Sequence, residues 1–202
     1  MPQRILPFFS YLFHPVFIPI YATLFYLFSN HSYFLNKEKY LVLLEVTVIT
    51  FVIPILFFFL LRFTGKISSI MIPELSERKF PLVVQCFLLI LLVKKSITLE
   101  LYPELHFFIL GALSSTLIAL ILLFVNKKAS LHMMGLSALT FFVFGLSLHH
   151  HRANTALVVS LVLMNGFVAS SRLIMGAHTP KELIFGVLIG SIPQILLLFL
   201  WL

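Results

Sequence analysis

A chain of 202 residues that is 60% hydrophobic and only 10% charged, with a mean hydropathy of +1.09, lacks the polar surface of a soluble domain, in which about 25% of residues are charged. That composition excludes a soluble enzyme or binding module and leaves an integral membrane protein. The net charge of +7 sits mostly at the ends of apolar runs, where basic side chains reach lipid headgroups, so anionic lipid rather than nucleic acid is the expected partner.

Each apolar run is long enough to cross a hydrocarbon core of about 30 Å as a helix, and none alternates as a barrel strand would. The first run, residues 5–28, carries Pro7, Pro15 and Pro19 and is expected to kink. It is too long for a signal peptide and no small-residue cleavage site follows it, so a retained helix is expected. His14 at the kink reads as structural, with the freed carbonyl met by a neighbour. A polar turn at 29–39, with Asn30 and His31, leads to the second run at 40–63, where Glu45 is expected to complement the helix dipole. The loop at 64–79 holds Glu74, Glu77, Arg78 and Lys79, with Arg78 read by default as a solvated charge. Pro81 then opens the third run, 82–101, which Lys94 and Lys95 interrupt.

After the turn Tyr102-Pro103-Glu104 comes the fourth run, 105–125. A connector at 126–132 precedes the fifth run, 133–148. The turn His149-His150-His151-Arg152 leads to the sixth, 153–171. A polar stretch, 172–182, separates it from the seventh, 183–202. The expected architecture is an all-α polytopic transmembrane helix bundle of about six to seven spans, forming a single integral-membrane domain over residues 1–202. Cys86, the lone cysteine, offers neither a disulfide framework nor a zinc cluster. The histidine run 149–151 invites a metal reading, but no acidic partner stands near it in sequence, and a wet turn is the expectation.

Seven spans place the N-terminus, the 64–81 loop, the 126–132 connector and the 172–182 stretch on one face. Basic residues favour that face as cytoplasmic. If Arg78, Lys128 and Arg172 hold an anion, however, the two faces carry nearly equal charge and the orientation stays open.

Three clusters share that face: Glu77-Arg78-Lys79-Phe80-Pro81, Lys128-Ala129-Ser130-Leu131-His132, and the stretch from Arg172 to Glu182. Cations with a hydroxyl and histidines suit a phosphate group. A guanidinium grips phosphate oxygens in a planar fork and stabilises a transferring phosphoryl. A histidine backed by a carboxylate is an oriented nucleophile or base, and a second histidine can protonate a leaving oxygen. A plainer reading covers part of the last cluster: Thr179-Pro180-Lys181-Glu182 also spells a capping box with proline at the first helical position. Lys127 and Lys128 read by default as headgroup anchors.

Ser171-Arg172, five residues, His178, three residues and an acid resembles the third signature of the type 2 phosphatidic acid phosphatase superfamily, with Glu182 where that family usually has aspartate. Ala129-Ser130-Leu131-His132 resembles its second signature, Pro-Ser-Gly-His, in the serine and the histidine. The first signature, a lysine, six residues and Arg-Pro, has no counterpart in that form; Glu77-Arg78-Lys79-Phe80-Pro81 stands in its place. The resemblance spans about 64–190 and leaves the first two helices outside.

It implies that His178 attacks phosphorus, Glu182 orients it and His132 protonates the leaving alkoxide. It further implies that Arg172, Arg78, Lys128 and Ser130 bind the phosphate of a phosphorylated membrane lipid, with no metal and no cofactor. The competing expectation is an inactive member that binds a lipid headgroup or a partner. A third, a small transporter, has only Lys94 and Lys95 as interior charges. Oligomeric state is not encoded in any feature of the sequence.

Overall fold

The computed structural model describes residues 2–29, 34–67, 75–151 and 154–202; Asn30, His31, Glu74 and Arg152 lie outside the described residues. Every element among the described residues is helical. They are α1 (Pro2–Leu12), α2 (Ile18–Ser29), α3 (Asn36–Thr47), α4 (Ile53–Phe63), α5 (Leu75–Leu91), α6 (Pro103–Phe124), α7 (Leu131–His149), α8 (Thr155–Ile174) and α9 (Pro180–Leu198). A π turn, Val48–Val52, fuses α3 and α4 into one 28-residue helix, Asn36–Phe63. Five helices are long and apolar enough to cross a membrane, and six if the pair bent by 41° at the start of the chain is one span. The architecture is the helical membrane bundle that the apolar runs lead one to expect.

Three stretches depart from the sequence reading. The first run is not a kinked helix but two helices joined by a 3-10 turn, Pro15–Phe17. The residue before a proline is pushed out of the α region, and His14 is extended, with φ −64° and ψ 140°. Its N–H turns to the Tyr11 carbonyl at 3.3 Å. The Ser10 carbonyl is thereby left without the backbone donor four residues on that a continuous helix supplies.

The third run begins at Leu75, so Glu77, Arg78 and Lys79 lie in helix rather than loop, and Pro81 sits inside α5 instead of opening it. Lys94 and Lys95 end up exposed in a π turn, Leu92–Ser96, at the far end of that helix. They do not line the bundle interior, so the transporter reading loses its interior charges. In the second run the carboxylate at the helix start is Glu38, whose Oε2 accepts the Leu35 N–H at 3.1 Å. Glu45 lies exposed further along α3.

The centre of the bundle is α7, with 67% of its membrane-length stretch buried. Its tightest partner is α9, and the reason is glycine. A Cβ at Gly186 would stand 2.5 Å from the Ser130 carbonyl oxygen, and one at Gly190 would run into the Met134 carbonyl oxygen. Small residues four apart let two helix backbones approach closely in a membrane. Polar side chains tie the same core together. Ser115 Oγ donates to the Ile189 carbonyl at 2.8 Å, and Gln194 Nε2 to the Phe108 carbonyl at 3.0 Å. The approach brings the start of α9 against the start of α7, where the Ser130 N–H donates to the Glu182 carbonyl at 3.0 Å.

At the opposite end of the bundle, the first turn of α6 meets the last turn of α7. Glu104, buried there, accepts the Tyr26 hydroxyl at 2.8 Å and faces His149 Nε2 at 3.5 Å. The histidine run therefore has an acidic neighbour after all, contributed by an antiparallel helix rather than by adjacent sequence. Among the described residues, no group of three or more His, Cys, Asp or Glu side chains gathers as a metal site would require.

Candidate functional site

The polar stretch between α8 and α9 is two helix ends joined back to back. Gly176, at φ +62°, ends α8 in a Schellman motif. Its N–H reaches the Leu173 carbonyl at 3.0 Å, and the Ala177 N–H reaches the Arg172 carbonyl at 3.1 Å. Two residues later Thr179 caps α9: its Oγ1 accepts the Glu182 N–H at 3.4 Å while Glu182 Oε2 accepts the Thr179 N–H at 3.2 Å. Arg172 is thus fixed in the last turn of one helix and His178 immediately before the cap of the next.

The capping box and the chemical reading hold together. The oxygen of Glu182 that closes the cap also meets His178 Nδ1 at 2.8 Å and Lys128 Nζ at 3.6 Å. A carboxylate on Nδ1 places the proton there and leaves Nε2 as a lone pair. The His178 side chain is 3% exposed. Burial, together with the charges of Arg172 and Arg78 and against the pull of Glu182, lowers its pKa to about 4. The ring is therefore neutral at ordinary pH, as a nucleophile must be.

His178, Arg172, Arg78 and His132 line one cavity of 550 Å³. They arrive from the α8–α9 hairpin, from α8, from the first turns of α5 and from the first turn of α7. Arg172 is 6% exposed; its Nη1 touches Met175 Sδ at 3.8 Å, and its Nε, fully buried, has no hydrogen-bond partner. A buried guanidinium nitrogen without an acceptor is costly.

Of the four residues expected on the phosphate, two stand elsewhere. Ser130 is the N-cap of α7, its hydroxyl accepting the Met133 N–H at 3.5 Å, and it is fully buried outside the cavity lining. Lys128 lies at the rim on Glu182, also outside the lining. Arg78, in contrast, is inside, because α5 begins early enough to carry it in.

The sequence reading left the first two helices out of the site, but the structure brings the first run into it. His14 lines the cavity, its ring edge-on to that of His132 with centroids 5.1 Å apart. Its Nδ1 accepts the Val16 N–H at 3.5 Å, which leaves the ring proton on Nε2. His132 lies against the Ser10 backbone, beside the break before Pro15. Ser10 also fixes α1 to the helix carrying Arg172, through an Oγ–Oγ contact of 2.6 Å with Ser171; Phe9 stacks on Phe167 at 4.9 Å. A His-Pro pair at membrane depth was the available signal for this, since a broken helix in a membrane is tolerated where it lines a cavity.

Fold and site together describe a helical membrane protein with a histidine–carboxylate pair, two further histidines and two arginines around one cavity at one end of the bundle. No model of a known family, no curated protein and no solved structure matches the chain.

Proposed function

We propose that the chain hydrolyses a lipid phosphate or diphosphate through a phosphohistidine on His178, without a metal ion. The observation that carries this reading is the meeting of His178, oriented by Glu182 at 2.8 Å, with Arg172, Arg78 and His132 around one cavity. His178 Nε2 attacks phosphorus, and the bond to the lipid oxygen breaks. His132 gives its proton to that leaving oxygen. Water then attacks the phosphohistidine, His132 takes a proton from it, and phosphate leaves. Arg172 and Arg78 hold the equatorial oxygens, where charge is densest in the transition state. A bound phosphate anion favours the protonated form of His132 that the first step needs.

The test is phosphate release from a panel of lipid phosphates by the detergent-solubilised chain, with and without chelator. Release that survives chelator and is lost in His178→Ala supports the proposal. Release that persists in His178→Ala removes the proposed nucleophile, and release that chelator abolishes removes the metal-free route. Binding of every lipid with no release from any of them leaves a headgroup-binding scaffold instead.

A further inference from the structure

The cavity does not end at the cations. On α5 its wall runs from Arg78 to Leu89, which at about 1.5 Å per residue is about 16 Å, half of a core of about 30 Å. Below the polar mouth the wall is mainly apolar, with Gln85, Ser115 and Thr116 as its polar members. Its deep end is made by Phe51, Leu89, Phe108 and Ala112. Phe51 belongs to the π turn that joins α3 and α4, and it stacks on Phe17 at 5.0 Å. Phe108 is closed off behind by Phe142 at 4.6 Å. The first two spans, which carry none of the motif residues, therefore supply one wall of the cavity.

We infer that this inner half is a binding site for one hydrocarbon chain of a single-chain lipid phosphate, whose head lies on Arg172, Arg78 and His178. The inference rests on the proposed function for the identity of the head, but not for its charge. The two guanidinium groups lining the mouth, those of Arg172 and Arg78, favour an anion there whether or not that anion is cleaved. An anionic head at the mouth and an apolar bore running to mid-membrane match an amphiphile lying along the bilayer normal. The total volume of 550 Å³ is in the range that holds one small ligand, about 300–1,000 Å³. Head and tail share it, which leaves room for one chain inside.

The test uses the full chain in amphipol and a series of alkyl phosphonates from butyl to dodecyl, which bind without being hydrolysed. The dissociation constant is expected to fall about fourfold per added methylene and to level off once the chain reaches the deep end. Ala112→Leu should move that levelling to a shorter chain, and Phe51→Ala to a longer one. Because the two variants act in opposite directions, loss of either to misfolding leaves the other to decide.

An affinity indifferent to chain length overturns the inference. So does an Ala112→Leu variant that weakens all lengths equally, or a two-chain glycerol phosphonate that binds as well as its single-chain counterpart. Rising affinity in a chain that hydrolyses no lipid phosphate sinks the phosphatase reading and keeps the tail site. Hydrolysis with flat chain-length dependence does the reverse.

Discussion

His178 and Glu182 are joined at 2.8 Å across one turn of chain, on the same carboxylate oxygen that receives the Thr179 N–H at 3.2 Å. One atom therefore both starts a helix and sets a tautomer. Glutamine also serves in a capping box, so Glu182→Gln keeps the helix start and removes the charge behind the imidazole. Phosphate release should drop about 10²–10⁴-fold with little change in thermal midpoint. A Glu182→Gln protein that turns over normally would leave the side chain to capping alone.

His178 also gives the chain a pH signature. Its folded pKa of about 4 lies below the unfolded value of 6.5, so the unfolded state binds the extra proton between those values. The stability is complete above 6.5 and is lost as pH falls towards 4, by on the order of 3 kcal/mol. Thermal midpoints across that interval should fall more steeply in the wild type than in His178→Gln. Parallel slopes would show that the ring is not buried neutral.

Arg172 sets function against stability. Exchanging an unsatisfied buried charge for an apolar side chain of similar length relieves its cost. Arg172→Met should raise the thermal midpoint while lowering kcat about 10²–10³-fold. If the variant is less stable than the wild type, the guanidinium is not an unsatisfied buried charge.

Ser130 separates the geometry from the motif. As an N-cap, Ser130→Ala should cost about 1 kcal/mol of stability and leave turnover within a few-fold. Loss of turnover in a normally stable Ser130→Ala protein would return the hydroxyl to the phosphate.

Two glycines should respond in opposite senses. Gly190→Ala drives a Cβ into the Met134 carbonyl and should destabilise by about 1–3 kcal/mol. Gly166, in α8, has nothing within 4 Å of the place its Cβ would occupy. Gly166→Ala should stabilise by about 0.5–1 kcal/mol through helix propensity alone. Denaturation of both variants in one detergent checks the pair.

The spans were legible because a hydrocarbon core filters for long apolar runs whatever their partners are. Arg172, His178 and His132 were legible because polar groups at such boundaries are few. What escaped was set by neighbours far away in sequence. Arg78 reads as a solvated loop charge until α5 is seen to begin at Leu75. His14 reads as a kink residue until its ring is found against His132. Glu104 has no sequence neighbour among the histidines it faces. Ser130 fits a motif in sequence and a helix cap in space. Gly176 was an overlooked local signal, a C-terminal glycine directly before a second helix start.

The contact between Ser10 and Ser171 joins residues 161 positions apart, and it bears on how the protein is made. The hydroxyl that docks α1 waits in the membrane until the helix carrying Arg172 has been synthesised and threaded in. His132 meets its Ser10 partner only when α1 is seated. A half-inserted chain thus lacks the assembled pocket, which closes only when the last helices have arrived.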